Sequence, residues 1–564
     1  MMNSTLSGAD ALLRMLEKYE VEYIFGLCGD TTLPFYDSIL TLDHPINHIL
    51  VRDERTASYM ADGYARMTGK VGVCEGPSGG GATYILPGLI EANESSSAIL
   101  SITTDISLAS YGKFPLTEID QEALMRPLTK WNTVVRRGDH IPRMIRKAFR
   151  MMTTGRPGST HLGIPYDIQY EDVQYEDIWA DKSHLHFPAW RAAPEPGMTE
   201  EVLKLVISAE KPVIVCGGGV VIANAMEELK KFVEYFDMPV LTSISGQGSL
   251  SEFHPNCAGV VGSNGGTEET WEILKQADLV MFLGCRAGST TTSRWQAPKS
   301  DTRIIHIDSD PEVIGANYQT ELGIVADLFL ALKELNQLLA EGGIPSKGFN
   351  GASIVRQATE QKFQKFHDIA RSANDMINPE AIVLGLQETL SDDAIIVCDP
   401  GTPCPYISAF YRFPKAGRYF ITNRAHGALG YSLGAAMGAW CGTKNKEVIA
   451  IMGDGSFGFS CGELETLTRI GIPITIIVIS NKSFGWIKAS QHDDYEQRYH
   501  NVDFSRTDHA KIASDYGLKS WRVENIEDLK PKLISAIKAE EPTLVDIVCQ
   551  PLEQAEAPVL RWMG

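Results

Sequence analysis

The chain has 564 residues, 44% of them apolar, and a formal net charge of −20. At roughly 100–200 residues per domain, that length predicts three domains, and no apolar run approaches the ~20 residues of a membrane span. A binder of nucleic acid or another polyanion would need a basic face, which this acidic balance argues against; a local pocket for a small anion is still compatible with it. Met1 to Asp10 shows no basic stretch followed by an apolar one, so no secretory signal is read and a cytoplasmic protein, with no membrane partner, is expected. Ten cysteines are scattered without a C-x-x-C pair, and several, such as Cys216 and Cys285, sit in apolar runs. They read as small buried side chains in a reducing compartment. The thirteen histidines show no metal-ligand spacing such as H-E-x-x-H.

Along the chain, β-rich stretches alternate with helix-like ones, the pattern of an α/β fold with doubly wound parallel sheets. A first domain is expected over 1–175, with strands at Tyr23–Gly26, Ile46–Val51, Val71–Cys74 and Ala98–Ile102. Residues 174–197, rich in Asp, Glu, Trp, His and Pro, read as a linker. A central domain follows over 198–340, with strands Val213–Cys216, Val240–Thr242, Leu279–Leu283 and Ile304–Asp308. After its first strand come Gly217, Gly218 and Gly219, then a helical stretch over Ala223–Phe236. The glycines lack G-x-G-x-x-G spacing, and a tight turn is favoured over a nucleotide loop. A polar stretch with Gly342, Gly343, Pro345, Gly348 and Gly351 leads to a third domain over 376–564. Its strands are Ala394–Cys398, Val448–Met452, Ile474–Ile479 and Thr543–Val548.

The strongest local signal lies at 447–483. An apolar strand runs into Gly453-Asp454-Gly455, and a second ends at Ser480-Asn481. Asp454 and Asn481 are thus expected at the C-terminal ends of parallel strands, where ligands bind in open α/β sheets. Magnesium takes oxygen ligands, usually one or two carboxylates plus substrate phosphates; Asp454 supplies charge and Asn481 a neutral oxygen. The glycines let backbone N–H groups approach phosphate oxygens. Ser460-Cys461-Gly462-Glu463 matches S-x-x-E and predicts a capping box opening a helix.

Gly-Asp-Gly, then 24 residues, then Ser480-Asn481 resembles the thiamine-diphosphate signature of the acetolactate synthase, pyruvate oxidase and 2-oxo-acid decarboxylase superfamily. That signature ends in Asn-Asn; here Ser480 replaces the first. The resemblance implies thiamine diphosphate and Mg2+ as cofactors, with Asp454, Asn481 and the main-chain carbonyl of Ser483 as metal ligands. It extends upstream. Arg52-Asp53-Glu54-Arg55, followed by Met60 to Arg66, is similar to the segment carrying the family's activating glutamate, so Glu54 is implied to hydrogen-bond N1′ of the aminopyrimidine. Burial would raise its carboxyl pKa and let it hold a proton near neutrality; a solvated glutamate at a helix start is the bland alternative. Gly76 and Pro77 resemble the loop packing on that ring, and Gly401 and Thr402 the turn meeting the diphosphate. Gly427 and Leu429 resemble the segment that bends the cofactor, Leu429 being the wedge. Gly453, Gly455, Ser456 and Phe457 are implied cofactor-binding residues. By resemblance, then, the three domains are pyrimidine-binding, central and diphosphate-binding. The active sites would lie between subunits of a homodimer or homotetramer.

Several departures bear on which member this is. Residues 76–83 replace a shorter Gly-Pro-Gly-Ala-Thr loop, Ser490 stands where a substrate-selecting tryptophan is usual, and Thr402-Pro403 replaces Gln-His. Val261 to Gly266, and Arg286 to Arg294, differ from the flavin-binding pattern, so FAD is not expected. One reading is a decarboxylase and carboligase acting on a 2-oxo acid, acetolactate-synthase-like. A second is a 2-hydroxyacyl-CoA lyase or oxalyl-CoA decarboxylase with an acyl-CoA substrate. A third, a catalytically silent binding subunit, is disfavoured by intact Glu54, Asp454 and Asn481. His426, Lys488 and Gln491 are candidate proton shuttles, weighed against a salt bridge or a surface amide.

Overall fold

A computed structural model describes residues 5–343, 345–372 and 376–555; the outermost ends of the first and third sequence domains, 1–4 and 556–564, lie outside the described residues. Three six-stranded sheets carry the fold, and every strand pair within them is parallel. The first sheet runs, in spatial order, Asn47–Leu50, Tyr23–Gly26, Gly72–Gly76, Ile99–Asp105, Thr160–Pro165, Trp131–Val134. The second runs Cys257–Val260, Val240–Thr242, Pro212–Cys216, Leu279–Leu283, Arg303–Asp308, Leu322–Val325. The third runs Phe420–Thr422, Ile395–Cys398, Val448–Gly453, Thr475–Ser480, Thr543–Val548, Lys519–Val523. A small antiparallel pair joins Thr5–Ser7 to Asp172–Gln174. Inner strands such as Ile99–Asp105 and Ile395–Cys398 are buried along their whole length, as strands covered on both faces must be.

Strand order fixes where ligands can enter. In each sheet the chain first moves toward one edge, then returns past its starting strand and builds toward the other. That leaves a crevice at the carboxyl ends of the two strands flanking the reversal. In the first sheet these strands are Tyr23–Gly26 and Gly72–Gly76; in the third they are Ile395–Cys398 and Val448–Gly453.

The described residues divide into two compact units. One takes those up to Trp190 with Asn423–Lys446 and Phe459–Ile474; the other takes Arg191–Thr422, Glu447–Gly458 and those from Thr475 on. Two helices near the third sheet's sequence, Tyr431–Thr443 and Glu463–Ile470, therefore belong to the first unit. Tyr431–Thr443 is apolar all round and rich in small residues, so it is buried on every side. It lies against the helix Glu54–Thr68 at near backbone contact. A Cβ on Gly63 would stand 2.1 Å from the Ala435 carbonyl oxygen, and one on Gly438 1.9 Å from that of Met60. A buried ionic cluster sits beside this contact. Arg66 pairs with Asp62 at 2.9 Å and with Glu91 at 3.0 Å, and the Tyr431 hydroxyl donates to Asp62 at 2.6 Å.

Three expectations change. Ser460 does not open a helix: it closes the helix Asp454–Ser460, its Oγ has no hydrogen-bond partner among the described residues, and Gly462 caps the next helix without a side chain. The S-x-x-E spacing fails because Glu463 is drawn elsewhere, as described below. The stretch Ala223–Phe236 is a helix only from Met226, preceded by a short turn of helix at Gly218–Ile222, with Asn224 left-handed at φ 54° between them. Finally, Gly351–Ala370 is a 20-residue helix in what the sequence left as an interdomain stretch.

The glycine contact sets an expected outcome. Gly438→Ala should lower the free energy of unfolding, from denaturant titration, by about 1–3 kcal/mol or more, because a backbone carbonyl cannot yield cheaply. Gly348→Ala, where a Cβ meets nothing within 4 Å, should stay within about 0.5 kcal/mol. Equal effects at the two positions would contradict the packing.

Candidate active site

At the reversal of the first sheet, Glu54 is the first residue of the helix Glu54–Thr68, capped by the Asp53 carboxylate accepting from the Arg55 N–H at 2.9 Å. Despite that surface-like position Glu54 is only 6% exposed. Burial pushes its carboxyl above the usual range, with Asp53 and Glu75 adding to the shift, while its own backbone N–H and Arg55 oppose it. The turn before it is pinned by Glu463, which accepts from the Arg52 N–H at 3.0 and 3.3 Å. Gly76 ends the neighbouring strand, where a Cβ would sit 3.3 Å from Glu54 Cγ. Gly81 is as close: its Cβ would stand 3.0 Å from Glu54 Oε1 and 2.5 Å from Pro77 Cδ. The structure thus brings Glu54, Gly76 and Pro77 together, around glycines that keep the glutamate uncrowded.

Sequence reasoning missed Glu75. It is 1% exposed, takes a 2.6 Å hydrogen bond from the Tyr36 hydroxyl, and lies 3.2 Å from His48 Nε2. A charged residue closing an otherwise apolar strand, Val71 to Gly76, was the available signal.

The segment 423–430 belongs to the same unit. His426 and Gly427 are exposed and Leu429 is half-buried. The His426 N–H donates to Glu91 at 2.7 Å, and Asn423 Nδ2 to the Ala428 carbonyl at 2.5 Å, so the segment is tied to the buried Arg66 cluster. Gly427 is left-handed at φ 74° with open space where a Cβ would be.

In the other unit, Asp454 and Asn481 follow directly on the parallel neighbours Val448–Gly453 and Thr475–Ser480. Asp454 Oδ2 accepts from the N–H groups of Asn481 at 3.0 Å and Lys482 at 2.6 Å, and Oδ1 from Gly455 at 2.9 Å. Burial nonetheless raises its carboxyl to about 6, the N–H groups of Lys482 and Gly455 and the charge of His509 opposing. Asn481 Oδ1 accepts from both the N–H and the hydroxyl of Ser483 at 3.3 Å, across a turn in which Lys482 is left-handed at φ 61°. A Cβ on Gly485 would lie 2.4 Å from Asn481 Nδ2 and 3.4 Å from Thr402 Oγ1, so any larger residue there would displace the Asn481 amide. Asp454, Asn481, Ser483 and Thr402 are therefore one neighbourhood. A Cβ on Gly401 or Gly453 would meet nothing within 4 Å. Ser456 and Phe457 are buried in the helix begun by Asp454.

Comparison with known proteins now decides the family. The description "Thiamine pyrophosphate enzyme, N-terminal TPP binding domain" matches residues 6–124, the central domain of the same enzymes matches 199–335, and their C-terminal TPP binding domain matches 399–547. The chain is 33% identical, over 97% of its length and 92% of the relative's, to a protein of Methanococcus aeolicus named "Probable acetolactate synthase large subunit". It is 31% identical, over 96% of its length and 87% of the relative's, to "Acetolactate synthase large subunit" of Corynebacterium glutamicum. The chain belongs to the thiamine pyrophosphate enzymes. Within them it is acetolactate-synthase-like, an enzyme of the decarboxylase and carboligase type.

Other parts of this thiamine pyrophosphate enzyme are built for packing. Gly217 and Gly219 let the turn after Pro212–Cys216 press on Gly284, whose oxygen would lie 2.0 Å from a Gly217 Cβ and 3.1 Å from a Gly219 Cβ. The two segments unlike the flavin pattern pack on each other: the Ser263 N–H donates to the Thr290 carbonyl at 2.7 Å. Lys488 pairs with Asp503 and Glu553, both at 2.8 Å. Burial lowers its pKa, but those two carboxylates outweigh that and hold it above the ordinary lysine range. Gln491 exchanges hydrogen bonds with the His500 backbone, at 3.0 and 3.3 Å. Gln491 is thus engaged with the segment just after its own helix, whereas Lys488 also ties that helix to Glu553 near the chain's end. No helix among the described residues is long and apolar enough to cross a membrane.

The Glu553 side chain is 7% exposed, so Lys488→Met should strand a buried carboxylate and lower the free energy of unfolding, from denaturant titration, by about 1–3 kcal/mol. Lys488→Met with Glu553→Gln should recover most of that loss. An unchanged midpoint in the single variant would show that the pair does not hold the loop.

Proposed function

We propose that this enzyme uses thiamine diphosphate and Mg2+ to decarboxylate a 2-oxo acid, pyruvate in the first instance, and to join the resulting fragment to a second carbonyl compound. One observation carries the reading: a buried Glu54 at one sheet reversal, and a half-buried Asp454 beside Asn481 at another, in a chain related to acetolactate synthases over nearly its whole length. The residues fit the cofactor. Open space at Gly401, Gly427 and Gly453 suits backbone approach to a ligand. A carboxyl raised by burial suits a hydrogen-bond donor to a ring nitrogen.

When bound, the cofactor supplies an electron sink beside the substrate carbonyl. The chain's own groups then have separate tasks. Glu54 would hold a proton for N1′ of the aminopyrimidine. Gly76 and Pro77 would back that ring, Leu429 would be the wedge beside the cofactor, and the Gly427 carbonyl would be an acceptor for its amino group. Asp454, Asn481 and the Ser483 carbonyl would hold Mg2+, whose charge would draw the Asp454 carboxyl back toward its ionised form. Gly401, Thr402, Gly453, Gly455, Ser456 and Phe457 line the diphosphate. The exposed His426 is the proton carrier we favour; Lys488 and Gln491 shape the loop after the metal turn. We propose a homodimer or homotetramer with active sites between subunits, in a reducing compartment such as the cytoplasm, where its ten free cysteines stay reduced. FAD is not part of the proposal.

Purified enzyme given pyruvate, thiamine diphosphate and Mg2+ should release CO2 and form acetolactate, and omission of either cofactor should stop both. Asp454→Ala should lose thiamine-diphosphate binding without unfolding. Failure to release CO2 from any of a panel of 2-oxo acids, with cofactor-dependent cleavage of an acyl-CoA instead, would replace this reading with the CoA-dependent one.

A further inference from the structure

Behind the Asn481 turn lies a buried charge with no direct place in the functions above. Asp546 is fully buried in the apolar strand Thr543–Val548. A carboxylate in such a place is tolerated only if it is fully hydrogen-bonded or paired. Here it is. Oδ1 takes a 2.5 Å hydrogen bond from the Ser480 hydroxyl and lies 3.3 Å from His509 Nδ1; Oδ2 accepts from the His509 N–H at 3.0 Å and from Arg522 Nη1 at 2.5 Å. Burial pushes this carboxyl up, yet the bonds from His509 and Ser480 and the charge of Arg522 outweigh it and leave the carboxyl below its ordinary range. His509 Nδ1 also lies 3.0 Å from Ser480 Oγ. Because the serine hydroxyl is committed to Asp546, the imidazole nitrogen is the donor in that contact.

The cluster touches both turns that carry the proposed metal ligands. Ser480 is the residue immediately before Asn481. His509 packs edge-on against Phe457, with ring centroids 5.0 Å apart and planes at 75°, and Phe457 is three residues after Asp454 on the same helix. One imidazole therefore braces the Asn481 turn by a hydrogen bond and the Asp454 turn by a ring contact. These two turns meet where the Asn481 and Lys482 N–H groups donate to Asp454 Oδ2.

We propose that Ser480, His509, Asp546 and Arg522 form a positioning network that sets the separation of Asp454 and Asn481 for a divalent cation, an outer layer of the metal site. The proposal rests on the metal reading of Asp454 and Asn481. Partners of this kind orient ligands that they do not themselves supply, and their loss typically weakens metal binding ~10–100-fold. In this chain the serine hydroxyl, too short to reach far, does its part through a buried aspartate and histidine.

The test is Mg2+-dependent thiamine-diphosphate binding to the full-length protein, followed by intrinsic tryptophan fluorescence, with the thermal midpoint of the cofactor-free protein measured alongside. Ser480→Ala and His509→Leu should each raise the Mg2+ concentration for half-saturation ~10–100-fold, with kcat at saturating Mg2+ and cofactor unchanged within about twofold. His509→Asn, which keeps a donor near the Nδ1 position, should recover most of the affinity. A network that only supports the fold would lower the thermal midpoint and leave the Mg2+ dependence alone, and that result overturns the proposal. Should His509→Leu fail to fold, Ser480→Ala decides, since it removes one hydroxyl. Asp454→Ala separates the two levels. Lost binding there with wild-type Mg2+ dependence in Ser480→Ala sinks the network alone; retained binding in Asp454→Ala sinks the metal reading and the network with it.

Discussion

A parallel sheet that reverses its winding direction sends the connections from two adjacent strands to opposite faces, and the carboxyl ends of those strands are left uncovered. The first and third sheets share one strand order, so each has this crevice at the equivalent place. Glu54, Gly76 and Pro77 gather at one; Gly401, Thr402, Gly453 and Asp454 gather at the other. What differs is the chemistry set at each mouth. The first offers a carboxyl framed by glycines, suited to a ring. The second offers a carboxylate, an amide and open backbone, suited to a phosphate-bound cation. The central sheet has its own reversal, between Pro212–Cys216 and Leu279–Leu283, but there Gly217, Gly219 and Gly284 close the mouth by packing on each other.

Charge is buried throughout the protein, and its pairing separates structure from chemistry. Asp62 and Glu91 lie against Arg66, and Asp546 against Arg522. Each of these holds helices or strands together, and a buried carboxylate of that kind needs its cation. Glu54 is buried and Asp454 half-buried, yet neither has an ion pair among the described residues, and desolvation raises both. Carboxyls kept in that condition are suited to meet a partner that the chain does not itself provide.

Much of this was legible in the sequence, for physical reasons. Continuous apolar runs gave most of the inner strands to within three residues at either end, because strands covered on both faces have no polar alternation to blur them. Some strands were not read: the edge strand Lys519–Val523 mixes Lys, Ser, Trp and Arg, and the inner strand Thr160–Pro165 ends in Gly-Ile-Pro. The place of Asp454 and Asn481 at adjacent strand ends was readable because a strand end followed by a fixed spacing is a local pattern. Glu75, Asp546 and His509 were not, since their meaning arises only when distant strands are laid side by side. The serine–glutamate spacing at 460–463 misled for the same reason. Glu463 spends its carboxylate on the Arg52 N–H, far away in sequence, and no local rule could anticipate that. Nor does local patterning show that the helix Tyr431–Thr443 lies against Glu54–Thr68, a contact set by glycines at both backbones.

The central claim is that Glu54 activates the cofactor rather than merely opening a helix. Its direct test is the rate at which the C2 proton of bound thiamine diphosphate exchanges in D2O, quenched in acid, with full loading verified separately. General acid–base assistance is typically worth ~10²–10⁴ in rate. Glu54→Gln should slow exchange by a factor in that range while thiamine-diphosphate and Mg2+ affinities change by no more than a few-fold. Wild-type exchange in a fully loaded Glu54→Gln enzyme would contradict the account.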